Sequence, residues 1–346
     1  MVVLGIETSC DETAVALVDD GLRVRSNVVG SQTEQHRPYG GVVPEIAARA
    51  HIELLLPVLD RALVEAGCTY EDVDAVAVTV GPGLVGALLV GVAAAKSLAL
   101  ACGLPLIGVN HLEGHVCAAQ LEFGPLQPPL VALVVSGGHT SLVLLDEQRT
   151  FRSLGSTIDD AAGEAFDKVA RFIGLPYPGG PEIDRLARDG DPHAIAFPRA
   201  LLGDDSYDFS LSGLKSAVVR ELRRREAAGE PIHLPDVAAS FQEAVVDVQV
   251  LKTVAAARNL GVDQVVVVGG VAANSRLRAR MAEDCDRAGL RLLIPSPALC
   301  TDNGAMIAAA GWNRLAAGET SPLDIEVDPG LALGTPSGAQ PEAGLP

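Results

Sequence analysis

Residues 130–145 read LVALVVSGGHTSLVLL, two apolar runs separated by a small polar turn. The β-rich composition of both runs and the short turn between them predict an antiparallel hairpin. The same pattern opens the chain, where residues 2–18 read VVLGIETSCDETAVALV and residues 22–28 add a third strand. Two such hairpins, one early in each half of the chain, indicate a duplicated α/β architecture.

The turns of both hairpins carry groups that can contact an anion. In SGGHT (136–140), the backbone amides of Gly137 and Gly138 and the hydroxyl of Ser136 are suited to surround a phosphate. The turn TSCDET (8–13) places hydroxyls and carboxylates at the strand ends, where they suit a phosphate or a hydrated metal ion. Ordinary turn chemistry is the alternative for both turns and is favoured for TSCDET taken alone, so the residues alone leave the two interpretations open.

The stretch 105–118, PLIGVNHLEGHVCA, predicts a buried strand followed by a helix with Asn110 at its N-cap. His111 and His115 are four residues apart, so both imidazoles project from one face of that helix. Two neutral imidazoles at this spacing can bind one transition metal ion. A metal would need at least one more ligand from elsewhere in the chain. A packing role for the two histidines remains the alternative.

A second buried strand is predicted at residues 264–268, which are apolar from Val265 onward. It leads into GGVAAN (269–274), and glycines after a buried strand, followed by a helix, form a nucleoside-binding turn in many α/β proteins. Asn274 is the candidate contact in that turn. Carboxylates crowd the first turns of another predicted helix, 156–171, at Asp159, Asp160, Glu164 and Asp167.

Several further elements follow from composition and turn residues. We expect helices at 42–56 and 55–66, and a last helix at 305–315 that Asp302 caps. Arginines 220 and 223–225 lie on one predicted helix, where they form either a solvated face or an RNA phosphate contact. The segment from residue 318 is rich in Pro, Gly and Ala, and we expect it to be loosely attached.

Composition limits the classes of protein that fit. A length of 346 residues predicts about two domains. The net charge of −18 argues against a generally basic nucleic-acid-binding surface. The six cysteines form no C-x-x-C pair, and the apolar run after Met1 ends at Glu7, so we expect a cytoplasmic protein with reduced thiols. Residues 83–109 are almost entirely apolar, but Lys96 and Pro105 argue against a membrane span.

Taken together, the motifs resemble one known family, the tRNA N6-adenosine threonylcarbamoyltransferases (TsaD, formerly Gcp). The matching stretches run in order from residue 5 to residue 308: GIETSCDETA (5–14), GGVVPEIAARAH (40–51), GPGLVGAL (81–88), NHLEGH (110–115), VSGGHT (135–140), GEAFDKVAR (163–171), YPGGP (177–181), FSLSGLK (209–215), GGVAANSRLR (269–278) and TDNGAMIA (301–308).

The resemblance implies a fold class: α/β, with the two lobes and central cleft of actin, Hsp70 and sugar kinases. We expect residues 1–110 to form the N-terminal lobe, which a returning helix near 303–317 joins. Residues 111–302 would form the C-terminal lobe and carry the metal and nucleotide loops. Residues 318–346 would be a flexible extension.

The resemblance also implies an activity. The family transfers a threonylcarbamoyl group from threonylcarbamoyl-AMP to the N6 amine of adenosine 37 in tRNAs that read codons beginning with A, and AMP is released. Carried over position by position, the metal ligands are His111, His115 and Asp302. The adenylate is held by residues of both halves of the second lobe, namely Val135, Ser136, Gly137, Gly138, His139, Asp167, Gly180, Asp184 and Asn274.

Residues of the first turn would complete the site. Glu7, Ser9, Asp11 and Glu12 would line the cleft, and Asp11 or Glu12 would assist removal of the amine proton as the catalytic residue. One divalent metal ion is expected, with Fe(II) ahead of Zn(II). The family further implies a TsaB-like paralogue and a TsaE-like ATPase as partners, and arginines 220–225 and 276–280 as candidate tRNA contacts.

Three other functions would draw on the same residues. A zinc endopeptidase needs H-E-x-x-H, whereas this chain has H-L-E-G-H, which places Glu113 roughly 200° around the helix from His111. A small-molecule kinase or regulatory ATPase of the actin-like fold would use the phosphate hairpins but not the His111/His115/Asp302 set. A non-catalytic scaffold paralogue would not need the metal ligands and SGGHT together.

Overall fold

The computed structural model describes residues 1–334, which form two compact α/β units. Unit one contains residues 1–35 and 42–126 and takes up the chain again from residue 302. Unit two contains residues 36–41 and 127–301.

Unit one is built on a five-stranded sheet in the order β3-β2-β1-β4-β5. Its strands are β1 (Val2–Glu7), β2 (Glu12–Asp19), β3 (Arg23–Ser31), β4 (Ala75–Gly81) and β5 (Leu106–Asn110). The first three strands form an antiparallel meander, and β1, β4 and β5 are parallel. The helices within the first 126 residues are α1 (Thr33–His36), α2 (Pro44–Ala66), α3 (Val85–Cys102), α4 (His111–Ala118) and α5 (Gln120–Phe123).

The helix α2 is continuous, although the sequence predicts two helices that meet near residue 55. Pro57 lies inside it, where a proline removes one backbone hydrogen bond. Leu55, Val58 and Leu59, on both sides of the proline, are buried in the core of unit one. Their burial outweighs the local cost of the proline and keeps the helix whole.

The helix α3 is the one described helix whose length and composition would suffice to cross a membrane. It was expected to be buried, and one of its faces is. Ala87, Leu88 and Val92 pack in the core of unit one, whereas Leu89 and Leu100 are exposed.

Unit two repeats the same plan, as the paired hairpins predict. Its sheet has the order β10-β9-β6-β7-β8, an antiparallel meander joined to parallel strands. The strands are β6 (Leu130–Val135), β7 (Thr140–Leu145), β8 (Phe151–Ser156), β9 (Gln264–Val268) and β10 (Arg291–Leu293). The helices are α6 (Ala162–Phe172), α7 (Gly179–Ala187), α8 (Ser212–Ala228), α9 (Leu234–Leu260), α10 (Ser275–Ala288) and α11 (Pro297–Cys300).

The prediction of a helix from residue 156 is wrong at its start, because Ser156 belongs to β8 and α6 begins at Ala162. Asp159, in the connecting segment, caps a different helix: its carboxylate accepts hydrogen bonds from the Oγ atoms of Ser210 and Ser212 and from the amide of Leu211. These bonds overcome the opposing effect of burial and lower the pKa of Asp159 to about 2.

The last helix, α12 (Gly304–Ala316), packs on the sheet of unit one. The backbones meet closely, since a Cβ atom on Gly5 would lie 2.3 Å from the carbonyl oxygen of Gly304. The chain then continues along the same unit: Ser321 N donates to Leu106 O, and Asp328 N donates to Val80 O. The prediction of a loose extension from residue 318 is therefore wrong for 318–334, and residues 335–346 lie outside the described part.

The boundary between the units also differs from the predicted one. Residues 111–126 belong to unit one rather than to the C-terminal lobe. The reason is that α4 packs against α12, with all eight residues of α4 buried. Both histidines of the NHLEGH motif are therefore in unit one.

Candidate metal centre and nucleotide site

His111, His115 and Asp302 come together within unit one. Asp302 Oδ1 lies 3.1 Å from His115 Nε2 and 3.7 Å from His111 Nε2. One potential ligand atom from each residue lies within 4.8 Å of the others, and both histidines are buried. The three residues that the family resemblance assigns as ligands are thus positioned to share one ion.

The local sequence explains how each ligand is placed. Asn110 ends β5 and caps α4, because its side chain accepts a hydrogen bond from the amide of Leu112. At the other segment, Asn303 and not Asp302 is the cap of α12, since its side chain accepts from the amide of Met306. The predicted capping role of Asp302 is therefore wrong, and its carboxylate faces the histidines.

Glu7 orients His111 from the side opposite the ligand cluster. Glu7 Oε2 lies 3.0 Å from His111 Nδ1 and accepts a hydrogen bond from Thr79 Oγ1 at 2.6 Å, while Oε1 accepts from the amide of Ser9. A carboxylate on one ring nitrogen of a histidine fixes the tautomer and presents the other nitrogen to a metal. Glu7 and Ser9 were expected to line the cleft, but both are buried and support His111.

The electrostatics of this cluster favour a cation. Burial alone would lower the pKa of His111, but the carboxylates of Glu7 and Asp302 outweigh it and raise that pKa to about 9. Burial would likewise raise the pKa of Glu7, yet the neighbouring His111 lowers it. Negative potential is therefore concentrated where the two imidazoles meet Asp302.

The residues present fit a metal ion. Within the described part of the chain, neither ring nitrogen of the fully buried His115 makes a hydrogen bond of acceptable geometry, although Asp302 Oδ1 lies 3.1 Å from Nε2. Buried polar groups are nearly always satisfied, and an ion on Nε2 would satisfy this one. Two imidazoles and one carboxylate leave coordination positions open to a substrate.

Glu113 does not take part in the ligand cluster. Its carboxylate lies 2.7 Å from Arg314 Nη2. A metalloprotease places a glutamate as general base beside its two histidines. The pairing of Glu113 with Arg314 therefore argues against a protease, as its spacing in the sequence does.

Glu12 is the carboxylate of the first turn with the environment of an acid–base group. Its Oε1 accepts from Ser31 Oγ at 2.8 Å, and its buried Oε2 has no partner among the described residues. Burial raises the pKa of Glu12 to about 7, against the Ser31 hydrogen bond and with support from the charges of Asp11 and Asp302. A group with this pKa can accept a proton at neutral pH.

A buried histidine that sequence reasoning left without a role holds the same turn in place. His51 on α2 is fully buried, its Nδ1 lies 2.8 Å from Thr13 Oγ1, and its Nε2 lies 3.0 Å from the carbonyl oxygen of Cys10. These two contacts bracket Asp11 and Glu12. In the sequence, His51 is marked by its place at the end of the family-matching stretch GGVVPEIAARAH (40–51).

In unit two, the SGGHT loop forms an open anion cradle. The amide of His139 donates to Ser136 Oγ at 3.1 Å, and the amide of Gly163, at the start of α6, donates to the carbonyl oxygen of Ser136. Gly137 and Gly138 are exposed, and open space lies where a side chain would be. The loop is thus held at its ends and accessible at its centre, as a phosphate-binding loop requires.

The carboxylates of α6 and α7 join this loop to α10. Asp167 accepts a hydrogen bond from the amide of Gly179 at 2.6 Å, and Asp184 accepts one from Ser275 Oγ at 2.7 Å. Gly180, at the start of α7, also has open space at its Cβ position. The structure therefore collects these predicted adenylate-binding residues on connected elements of one unit.

Val135 and Asn274 complete the same edge of the sheet. Val135 ends β6, and its carbonyl oxygen would lie 2.3 Å from a Cβ atom on Gly269, which follows β9. Asn274 caps α10 through the amide of Leu277 and donates to Gln242 Oε1 at 2.7 Å. The Asn274 side chain thus serves the turn itself, a structural role that the nucleoside interpretation did not include.

The candidate tRNA-contacting arginines divide into three classes. Arg278 donates to the carbonyl oxygens of Ala272 and Pro295. Those paired with carboxylates are Arg224 and Arg225 (with Glu221 and Glu230) and Arg276 and Arg280 (with Glu243, Asp247 and Asp284). Arg220 and Arg223 are exposed and have no ion pair within residues 1–334.

Comparison with known proteins places these sites in a family. The family model described as tRNA N6-adenosine threonylcarbamoyltransferase, TsaD, matches residues 23–309. The chain is 56% identical to the protein of that name from Moorella thermoacetica over 331 residues, which cover 96% of this chain and 97% of the relative. It is 57% identical to the one from Geobacillus thermodenitrificans over 332 residues, which cover 96% of each protein.

Solved structures with low sequence identity share the fold. The activator of 2-hydroxyisocaproyl-CoA dehydratase from Clostridium difficile, solved with ADPNP, has a TM-score of 0.54 at 16% identity over 92% of this chain and 97% of its own. HypF from T. kodakarensis has a TM-score of 0.63 at 14% identity over 92% of this chain and 48% of its own. These neighbours confirm the predicted actin-like α/β fold class.

Fold neighbours do not determine an activity, whereas identity above 50% over nearly the whole chain does identify a family. The predicted resemblance is confirmed. The chain belongs to the TsaD family of tRNA N6-adenosine threonylcarbamoyltransferases, enzymes that modify tRNA.

Proposed function

We propose that this chain transfers the threonylcarbamoyl group of threonylcarbamoyl-AMP to the N6 amine of adenosine 37 in tRNAs that read codons beginning with A. The observation that carries the proposal is the convergence of His111, His115 and Asp302 in a chain that matches the family over nearly its full length.

The chemistry of the donor fits these residues. Threonylcarbamoyl-AMP is a mixed anhydride that is already activated for acyl transfer. The adenosine amine attacks the carbamoyl carbon, a C–N bond forms, the bond from that carbon to the phosphate oxygen breaks, and AMP leaves. The reaction needs positioning and charge stabilisation more than a protein nucleophile.

The proton lost by the amine needs an acceptor. Glu12 is the proposed acceptor, because its pKa of about 7 makes it a carboxylate that can both take up and release a proton near neutral pH. Asp11 is the proposed second catalytic carboxylate, and its charge contributes to the raised pKa of Glu12.

The adenylate would bind to unit two. The open amides of Gly137 and Gly138 are suited to the phosphate, and Ser136 and His139 hold that loop in shape. The other proposed adenylate contacts surround the same edge of the sheet, namely Val135, Asp167, Gly180, Asp184 and Asn274.

A divalent metal ion is proposed on His111, His115 and Asp302. Two histidines and one carboxylate with open positions are typical of non-haem Fe(II) sites, which places Fe(II) ahead of Zn(II). When bound, the ion supplies a Lewis acid for a carbonyl or phosphoryl oxygen. The chain's own contribution is the buried ligand geometry and the orienting contact from Glu7.

For the tRNA, Arg220 and Arg223 on α8 are the proposed phosphate contacts. Their guanidinium groups are exposed and carry no carboxylate partner in the described chain, whereas Arg224 is held by Glu221 and Glu230. Because the protein has a net charge of −18, its attraction for a polyanion such as tRNA must come from arginines that carboxylates do not neutralise.

Partner proteins are also proposed, a TsaB-like paralogue and a TsaE-like ATPase. Adjacent helices α2 and α3 expose large apolar side chains, among them Ile52, Leu56, Val85 and Leu89. The two helices meet where Gly86 approaches Ala48. Exposed apolar faces of this kind mark protein contacts, which supports a paralogue on this surface. We propose a cytoplasmic location, in keeping with the free state of all six cysteines.

To test this proposal, the protein would be incubated with unmodified tRNA and chemically made threonylcarbamoyl-AMP, with and without the proposed partners. The tRNA would then be digested and its nucleosides identified by mass spectrometry. Threonylcarbamoyladenosine should appear and should be lost in His111→Ala and Asp302→Ala. ATP hydrolysis without the modified nucleoside would refute the proposal and favour a regulatory ATPase or a small-molecule kinase.

A further inference from the structure

Glu113 and Arg314 form a buried ion pair that the transfer chemistry does not use. Glu113 Oε2 lies 2.7 Å from Arg314 Nη2, and the two side chains are 5% and 15% exposed. Glu113 lies in α4 between the two histidines, and Arg314 lies in the last turn of α12. The pair therefore connects the helix that carries two metal ligands to the helix that follows the third.

A buried ion pair of this kind contributes little net free energy to the stability of a fold. Two buried charges lose their hydration, and an apolar pair of the same volume often stabilises a fold equally well or better. In some proteins, buried ionic groups instead specify one arrangement of packed elements. In this chain, the arrangement of α4 and α12 is the one that decides how the ligands meet.

The rotation of α4 about its axis sets the direction of both imidazoles. His111 and His115 project from one face of the helix toward Asp302. Each residue of an α-helix is rotated by about 100° from the one before it. Glu113 therefore projects roughly 200° around the helix from each histidine, and a directional contact at that position fixes the rotation.

Other contacts between the helices set their separation. A Cβ atom on Gly114 would lie 2.7 Å from Ile307 Cδ1, so the helices approach closely there. At the far end of α4, Asn313 Nδ2 of α12 lies 3.4 Å from Cys117 Sγ, and it donates to Gln120 Oε1 of the following helix α5 at 2.9 Å.

We infer that the Glu113–Arg314 pair is a positioning pair that holds His111 and His115 toward Asp302 and so sets the affinity of the metal centre. The inference rests on the metal site proposed above. The charged pair fixes the rotation of α4, and the close Gly114 contact fixes its distance from α12. Neither Glu113 nor Arg314 belongs to the ligand cluster of His111, His115 and Asp302.

The experiment measures Zn²⁺ affinity by competition with a chromophoric chelator, and thermal unfolding in parallel. The variants are Glu113→Gln, the double variant Glu113→Gln/Arg314→Met, and His111→Ala. Glu243→Gln is the matched control, because it removes the buried carboxylate of an ion-pair group in unit two, where Glu243 lies 2.6 Å from Arg276 and 3.3 Å from Arg280.

In Glu113→Gln, Zn²⁺ affinity should fall about 10- to 100-fold, the range for groups that orient metal ligands. The control should lower the melting temperature but keep the wild-type affinity. The double variant, with both charges removed, should regain melting temperature without regaining affinity.

Wild-type affinity in Glu113→Gln, or full recovery of affinity in the double variant, would overturn the positioning role while leaving the metal site intact, provided that His111→Ala loses binding. Wild-type affinity in His111→Ala would overturn the metal site itself.

Discussion

The contact between Glu7 and His111 makes a specific prediction for Glu7→Gln. Three donors surround the native carboxylate: the amide of Ser9, Thr79 Oγ1 and His111 Nδ1. A glutamine amide has one acceptor oxygen and one donor nitrogen. If its nitrogen faces His111, Nδ1 must become the acceptor, the proton moves to Nε2, and no lone pair is left for a metal.

If the amide nitrogen faces the other way, it meets the Ser9 amide, and two buried donors oppose each other. Either orientation costs the site one hydrogen bond to a charged acceptor, about 1.5–3 kcal/mol. This corresponds to a loss in metal affinity of about 10- to 100-fold, in agreement with the range for groups that orient a ligand.

The assay is chelator competition on the refolded or as-purified protein, with unfolding measured on the same samples. Thr79→Val is the control, because it removes one donor to Glu7 without changing which ring nitrogen of His111 is protonated. Its affinity should change less than threefold, within about 0.6 kcal/mol. Wild-type metal affinity in Glu7→Gln, with the fold intact, would refute the role assigned to Glu7.

Three further predictions concern other groups. Because the pKa of Glu12 is raised to about 7 and the base must be deprotonated, the transfer rate should rise with pH through 7; Glu12→Gln should lose about 10²- to 10⁴-fold in rate and that limb of the pH–rate profile. The double variant Arg220→Ala/Arg223→Ala should weaken tRNA binding and make the slope of log Kd against log salt shallower by roughly 1 to 2. Arg224→Ala should change this slope little, because its guanidinium is already paired with Glu221 and Glu230. Equal effects of the two variants in titrations at several salt concentrations would contradict this assignment. Asp159→Ala should destabilise the protein by about 1 kcal/mol, because the helix loses a capping carboxylate. The folded-state pKa of Asp159 is lowered to about 2, so this contribution is present above about pH 4 and is lost as the pH falls toward 2. Denaturant unfolding of the wild type and the variant across that pH range would measure it.

The apolar runs and turn residues of the sequence were sufficient to predict the main strands of the two sheets. The β1 and β6 hairpins and the strand β9 appear at or within a few residues of their predicted positions, because a strand buried on both faces leaves a nearly continuous apolar run. The sheet orders of the two units then confirm the duplication that the two hairpins indicate.

Local rules failed where tertiary contacts decide. The continuity of α2 through Pro57 depends on burial against the sheet, and no local rule expresses that. Asp302 and Asn303 are both good capping residues, so their order could not say which one caps α12 and which one faces the histidines. The attachment of residues 318–334 depends on hydrogen bonds to β4 and β5 and on the burial of Ile325 and Leu331 in the core of unit one, which composition does not reveal.

The three ligands came from family resemblance, and the structure adds what surrounds them. Spacing alone suggested only the pair His111 and His115. The contacts of Glu7 with His111, of His51 with the turn at Asp11, and of Glu113 with Arg314 link residues that are far apart in the chain. A single sequence does not pair such residues.

Adding metal back to the metal-free protein tests most directly whether the transfer depends on a metal ion bound by His111, His115 and Asp302. The protein, treated with chelator and desalted, would receive Fe(II) in steps under anaerobic conditions, and threonylcarbamoyladenosine in tRNA would be measured at each step with the partners present. Transfer should be restored in proportion to added metal, saturate at one ion per chain, and fail to return in His115→Ala. Full transfer by the stripped protein, or equal restoration in His115→Ala, would contradict the account.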